Sequence, residues 1–238
     1  MNQIPENLTK PFDATSVEAS LYDLWETSGY FNPDNLPGVR KESYTIIMPP
    51  PNANGSLHAG HALFVTIQDI LIRFNRMNGK RALWLPGADH AGFETQSVYE
   101  KKLEKEGRSR FGMDRDALYK EILDFTLFNK SFMEGQIRQL GASCDWSREM
   151  FTLDENIIKT VNQTFKKLED DKLLYRGKRI VNWCTKHQTS LSNLETEHIS
   201  RKDPFYYFKY GPFTIGTVRP ETKFGDKYVV MHPDDERY

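Results

Sequence analysis

The chain has 238 residues, 38% of them hydrophobic and 27% charged, and its 32 Lys and Arg stand against 33 Asp and Glu for a net charge of -1. That length and composition describe a globular protein of one or two domains with a sizeable core, and they exclude a uniformly basic nucleic-acid binder and, with only two cysteines, a disulfide framework. No apolar run approaches the ~18 residues of a membrane helix and the first ten residues lack the apolar core of a secretion signal, so neither export nor a membrane partner is expected, and the expected location is the cytoplasm.

In chain order, residues 15–28 read as a helix capped by Asp13 or Ser16, presenting Leu21, Leu24 and Trp25 and ended by Gly29. Residues 43–48 carry the β-favouring run Tyr44, Thr45, Ile46, Ile47, and residues 62–77 place Leu63, Ile67, Ile70, Leu71 and Phe74 at helical spacing. Between them lies Pro49-Pro50-Pro51-Asn52-Ala53-Asn54-Gly55-Ser56-Leu57-His58-Ala59-Gly60-His61. Ser56 is the expected N-cap, and Gly55 allows a sharp turn ahead of it. His58 and His61, three apart, then share one face of the first helical turn, where a bare Gly60 exposes unpaired backbone N–H groups at the positive end of the helix dipole. Such a place attracts phosphate. The plainer alternative is two polar residues on a solvated helix. A metal would need a third ligand, and the His-Glu-x-x-His pattern of zinc proteases is absent.

An apolar strand at 82–86 follows, then a Gly-bounded loop containing Asp89. Strand, helix and strand together predict a βαβ unit with a parallel, right-handed crossover, and a ligand at the carboxyl ends of its strands. Lys101, Lys102, Lys105, Arg108 and Arg110 offer a basic patch, although the interspersed Glu100, Glu104 and Glu106 favour a solvated helix. Residues 113–140 read as a pair of scaffold helices, 141–148 as a turn-rich break, and 154–175 as a helix with Ile157, Ile158, Val161, Phe165 and Leu168 in register. Cys184 and His187 have metal-knuckle spacing, but a structural zinc needs four ligands and only His198 is nearby, so the pair are candidate ligands without a full set. Residues 205–210 and 213–217 alternate as strands, and Arg219-Pro220-Glu221-Thr222 reads as a strand end and turn.

His58-Ala59-Gly60-His61 resembles the HIGH signature of the class I aminoacyl-tRNA synthetases, and the likeness extends from Pro49 through Gln96, including Gln68-Asp69-Ile70-Leu71, Leu83-Trp84-Leu85-Pro86-Gly87 and Asp89-His90-Ala91-Gly92. The Pro-Pro-Pro-Asn and Asp-His-Ala-Gly segments are similar to the valine-specific branch rather than the isoleucyl or leucyl ones. The 141–148 break resembles the family's Leu-Gly-x-Ser-x-Asp-Trp segment, and Val218-Arg219-Pro220-Glu221-Thr222 resembles the motif that opens its editing domain, with Val218 in place of Thr. At 183–187 the family's Trp-Cys-Pro-x-Cys is altered at Thr185 and His187, which puts a zinc there in doubt.

The resemblance implies an α/β fold: an N-terminal extension with a helix over 1–42, the HIGH-containing N-terminal half of a Rossmann-type catalytic domain over 43–198 with a knuckle at 181–198, and the start of a β-rich editing domain over 199–238. It implies ATP with Mg²⁺ at His58, Gly60 and His61 as the catalytic and ATP-binding residues. The amino acid falls to Pro50, Asn52 and Asp89, where Asp89 would hold an α-ammonium and the rigid prolines would gauge side-chain size. Arg219 and Thr222 fall in the editing pocket. The implied partners are valine, ATP and tRNA(Val), with no DNA. No segment matches the family's Lys-Met-Ser-Lys-Ser-like loop, so the chain is expected to be a fragment of a longer ligase, inactive alone. The alternatives are a non-catalytic module that binds an aminoacyl group or adenylate, and the isoleucyl branch.

Overall fold

The computed structural model describes residues 11–236, so the first ten residues of the expected extension and the last two of the closing segment, Arg237 and Tyr238, lie outside the described residues. The described residues fall into two compact units, 11–175 and 176–236. Among them no helix is long and apolar enough to cross a membrane.

The first unit opens with α1 (Glu18–Thr27). Neither expected residue caps it: Ser16 donates to the Asp13 carbonyl and Thr15 to the Asp13 carboxylate, forming a separate turn, while Val17 occupies the cap position without a side-chain bond. The helix is docked instead by buried Tyr22, whose hydroxyl donates to the Ala142 carbonyl at 2.7 Å and accepts from the Trp146 indole N–H at 2.7 Å.

β1 (Ser43–Ile47), α2 (Ala59–Met77) and β2 (Arg81–Leu85) form the expected βαβ unit, the strands pairing in parallel from Ser43 opposite Arg81 to Ile47 opposite Leu85. Met48, Val65, Ile72 and Trp84 are the centre of the core. The stripe expected to pack, however, faces out. Leu63, Ile67, Ile70, Leu71 and Phe74 are between 41% and 64% exposed, whereas Val65 and Ile72 point inward. α2 is apolar on more than one side, so periodicity identifies the helix without choosing its buried face.

β3 (Gly87–Ala88) continues from β2 and pairs in parallel with β4 (Met150–Phe151). A Cβ on Gly87 would lie 3.1 Å from the Met150 carbonyl oxygen, so the bare Cα permits this approach. Between them run α3 (Gly92–Lys105) and α4 (Arg115–Gln139). The pair of helices expected over 113–140 is thus one continuous helix, started by the Asp114 carboxylate accepting from the Asp116 and Ala117 N–H groups. Its only weak point is Gly135, which costs about 1 kcal/mol relative to alanine and does not break a helix of this length. α5 (Glu155–Asp170) closes the unit, with no buried residue; Ile158, Val161, Phe165 and Leu168 are exposed rather than packed.

The turn-rich 141–148 segment is bound to the polar face of α2. Asp69 Oδ1 accepts from the Ser143 N–H and hydroxyl at 2.9 and 2.6 Å, and Asp69 Oδ2 accepts from Arg73 at 2.6 Å, while Arg76 donates to the Ser143 hydroxyl and carbonyl. The second unit contains two antiparallel hairpins, β5 (Asn182–Cys184) with β6 (Thr189–Leu191), and β7 (Tyr206–Tyr210) with β8 (Phe213–Thr217), the latter matching the expected strands.

Candidate functional site

The carboxyl ends of β1 and β2 carry the proline loop and the Asp89 loop, and backbone bonds zip the two together. Asp89 N–H donates to the Pro51 carbonyl at 2.9 Å and Ala53 N–H to the Asp89 carbonyl at 2.7 Å, a parallel bridge that sets Asn52 opposite Asp89. Asn52 Nδ2 donates to Glu94 Oε2 at 2.7 Å, tying the proline loop to the first turn of α3 as well. Pro51 and Ala53 are buried anchors, and Pro50 and Asn52 are exposed.

The Asp89 loop is held in a single shape. Asp89 Oδ1 accepts from the Ala91 N–H at 2.9 Å, Ala91 takes a left-handed φ of 55°, and Gly92 follows at 44°. Strain of this kind persists where surrounding bonds over-determine it. Here the Thr95 hydroxyl donates to the His90 carbonyl at 2.6 Å, and Thr152 receives the His90 N–H at 2.9 Å.

The proline loop leads into α2 by a route the sequence reading missed: His58, not Ser56, is the N-cap. Its Nδ1 accepts from the Gly60 N–H at 3.1 Å, and His61 Nδ1 accepts from the His58 N–H at 3.2 Å, a reciprocal cap built from two imidazoles with centroids 3.9 Å apart. An imidazole outcompetes the Ser56 hydroxyl because it sits two residues closer to the first helical N–H groups. Gly60 is required by the same arrangement, since a Cβ there would lie 2.9 Å from His58 Cε1. With Nδ1 accepting in both rings, the neutral tautomer of each carries its proton on Nε2, where it remains a donor. Burial, and then the neighbouring His58, hold the His61 pKa below the ordinary histidine value. Upstream, the Leu57 N–H donates to Gln136 Oε1 at 2.9 Å, so α4 fixes the approach to the cap.

Beside the zipped loops lies a cleft of about 170 Å³, lined mainly by apolar residues of the strand ends and α5, including Ile47, Pro50, Ala88, Phe151, Thr152 and Ile157. The unpaired N–H groups expected at this helix start are largely taken, since His58 Nδ1 accepts from the Gly60 N–H and the His58 carbonyl from the His61 and Ala62 N–H groups. What suits phosphate here is the positive end of the α2 dipole with two Nε2–H donors beside it, while a partly exposed carboxylate beside an apolar cleft suits an ammonium attached to a small aliphatic group.

The other sequence candidates are placed less completely. Arg108 pairs with Glu106 and Glu121, and Arg110 with Glu100, so the arginines of the basic patch are occupied by carboxylates. Cys184 Sγ lies 3.4 Å from His187 Nδ1 and accepts the His187 N–H at 3.4 Å, but among the described residues no third His, Cys, Asp or Glu joins them, His198 included, and two donors do not make a zinc site. Arg219 and Thr222 share one turn, the Thr222 hydroxyl donating to the Arg219 carbonyl at 2.8 Å, while the Arg219 guanidinium is 72% exposed and contacts Glu221. Glu94, Gln136 and Thr152 were missed: each joins the site through a distant element, and no local pattern marks them.

Residues 20–210 match the family described as tRNA synthetases class I (I, L, M and V). The chain is 44% identical to the valine--tRNA ligase of Geobacter sulfurreducens, covering 98% of this chain and 27% of that protein. It is 47% identical to the chloroplastic/mitochondrial valine--tRNA ligase 2 of Arabidopsis thaliana, covering 97% of this chain and 24% of that protein. The chain therefore spans about a quarter of the length of these relatives. Among solved structures, the LeuRS of an Agrobacterium radiobacter K84 agnB2 LeuRS-tRNA-LeuAMS ternary complex is 24% identical with a TM-score of 0.61, over 76% of this chain and 21% of that one, a likeness of fold.

Proposed function

The chain belongs to the class I tRNA synthetases (I, L, M and V), and from that premise we propose that it carries the valine- and ATP-binding part of a valine-tRNA ligase. What most supports this reading is the zipping of the Asn52 loop to the Asp89 loop at the ends of β1 and β2, next to a helix mouth capped by His58 and His61. Two recognition chemistries, for an anion and for an ammonium, are thereby carried by one set of strand ends.

In this reading Asp89 holds the α-ammonium of valine, Pro50 and Asn52 shape the wall beside its side chain, and the valine carboxylate attacks the α-phosphorus of ATP in line. The bond to pyrophosphate breaks as the new P–O bond forms, giving valyl-adenylate, from which the valyl group passes to tRNA(Val). No side chain need take a proton in the first step, so His58 and His61 act as fixed Nε2–H donors to phosphate oxygens while the bare Cα of Gly60 leaves room for the His58 ring. Mg²⁺ arriving on the nucleotide would neutralise phosphate charge; among the described residues no cluster of three or more His, Cys, Asp or Glu is placed to hold a metal by itself.

The same proposal assigns residues 43–198 to the N-terminal half of the catalytic domain and 199–238 to the start of an editing domain, with Arg219 and Thr222 in its pocket. A second sieve is physically required for valine, because an apolar pocket rejects isosteric threonine by only about a hundredfold, a limit for which valyl enzymes are themselves the standard illustration.

The test is ATP–pyrophosphate exchange by a polypeptide that contains this chain within a full-length ligase, with valine, isoleucine and threonine supplied in turn. Exchange should be strongest with valine. A folded protein that exchanges only with isoleucine, or with none of the three, contradicts the proposal.

A further inference from the structure

The hydroxyl of Thr152 stands at the junction of the two halves of the site. Its backbone N–H donates to the Ala88 carbonyl at 3.2 Å, which extends the β3–β4 pairing by one step and leaves little freedom in where the side chain starts. The hydroxyl accepts from the His90 N–H at 2.9 Å and lies 2.6 Å from His90 Nδ1 and 3.3 Å from Asp89 Oδ1. In the Nδ1–H tautomer of His90 the ring and backbone N–H groups both donate to this hydroxyl, whose single proton then goes to Asp89 Oδ1, so three neighbours saturate its one proton and two lone pairs. Asp89 Oδ1, bonded to both the Ala91 N–H and Thr152, is likewise taken, and among the described residues no hydrogen bond reaches Asp89 Oδ2. The same Thr152 side chain lines the apolar cleft with Ile47, Pro50 and Ile157. That cleft, of about 170 Å³, is on the scale of a small apolar group.

We propose that Thr152 is a positioning residue of this site: by occupying Asp89 Oδ1 and anchoring His90, it turns Oδ2 toward a ligand's ammonium while its own methyl bounds the cleft that takes the ligand's aliphatic side chain. This rests on the reading of Asp89 as the ammonium-binding carboxylate. Thr152 reaches Asp89 across 63 positions of sequence, and no pattern around residue 152 announces the contact. It works through Asp89 and need not touch the reacting atoms.

The experiment titrates two probes into the 238-residue chain by NMR chemical-shift perturbation: L-valine, and 3-methylbutanoate, which keeps the isopropyl group and carboxylate but lacks the ammonium. Thr152→Ser retains the hydroxyl and should bind L-valine within about twofold of the unmodified chain. Thr152→Val retains the branched shape, and should weaken L-valine about tenfold while leaving 3-methylbutanoate unchanged, since the lost bond orients a charged acceptor. Undiminished L-valine binding in Thr152→Val, or an equal loss for both probes, overturns the role of Thr152 and leaves the reading of Asp89 intact. If the unmodified chain and its Asp89→Asn variant are indistinguishable toward L-valine, the reading of Asp89 falls and the role of Thr152 with it.

Discussion

His58 and His61 show how little material a capped helix start requires. Each ring gives one nitrogen to a backbone N–H that would otherwise lack a partner, and keeps the other as a donor. Burial, and then the neighbouring His58, oppose the charged form of His61 and hold its pKa below the ordinary value of about 6.5, and protonating Nδ1 would in addition break its bond to the His58 N–H. The sign follows: as pH falls through the ordinary value the unfolded chain takes up a proton before the folded one does, so this contribution to stability is present at neutral pH and is lost on acidification. The His61 ring ¹⁵N and ¹H signals should therefore titrate with a midpoint below that of an unstructured histidine, with Nε2 protonated above it; a raised midpoint contradicts the cap. Gly60→Ala separates capping from propensity. Alanine favours the helix by up to about 1 kcal/mol, yet its Cβ displaces the His58 ring. Overall stability measured by urea unfolding should change by less than about 1 kcal/mol, because the lost cap offsets that gain, while the His58 ring signals move.

At the level of elements, the sequence made the βαβ unit legible because strand and helix periods alternate cleanly between Ser43 and Leu85, and the turn residues lie between them. Ends and faces were harder to read. The Ser56 expectation failed because histidine is not a customary cap, and only the folded geometry reveals that its Nδ1 reaches the Gly60 N–H. The break expected within 113–140 failed because charges and aromatics mixed along a long helix imitate two short ones. The docking of α1 was invisible for a different reason, since Tyr22 reaches partners at 142 and 146. Tyr22→Phe should leave the Ala142 carbonyl and the Trp146 indole N–H without this partner and lower the stability of the chain by about 2 kcal/mol in urea unfolding. A change under half that size would mean that α1 is held by apolar contact alone.

At the scale of the whole molecule, two cysteines pointed away from a disulfide framework, no helix among the described residues is long and apolar enough to cross a membrane, and the motifs at 49–96 carried the family resemblance. They could not show which surfaces stay uncovered. α2 and α5 leave Leu63, Phe74, Val161 and Phe165 each at least 56% exposed, on helices whose pattern alone reads as buried. Apolar surface of this kind marks an interaction site or an aggregation liability. The 238-residue chain should accordingly self-associate as its concentration rises in sedimentation velocity, and Leu63→Lys with Phe165→Lys should restore a monomer; a monomer throughout without those changes contradicts the exposure.

In the proposed reading, phosphate recognition falls to the helix start at His58 and His61 and amino-acid recognition to the loop of Asp89, so the most direct measurement is the division of kcat and KM in ATP–pyrophosphate exchange by a full-length ligase carrying this chain. His61→Ala should lower kcat by about a hundredfold, in line with the loss of one preorganised donor, with little change in the KM for valine. Asp89→Asn should act mainly by raising the KM for valine. If both variants changed the same parameter by the same factor, the two loops would not be dividing the work, and the account would be wrong.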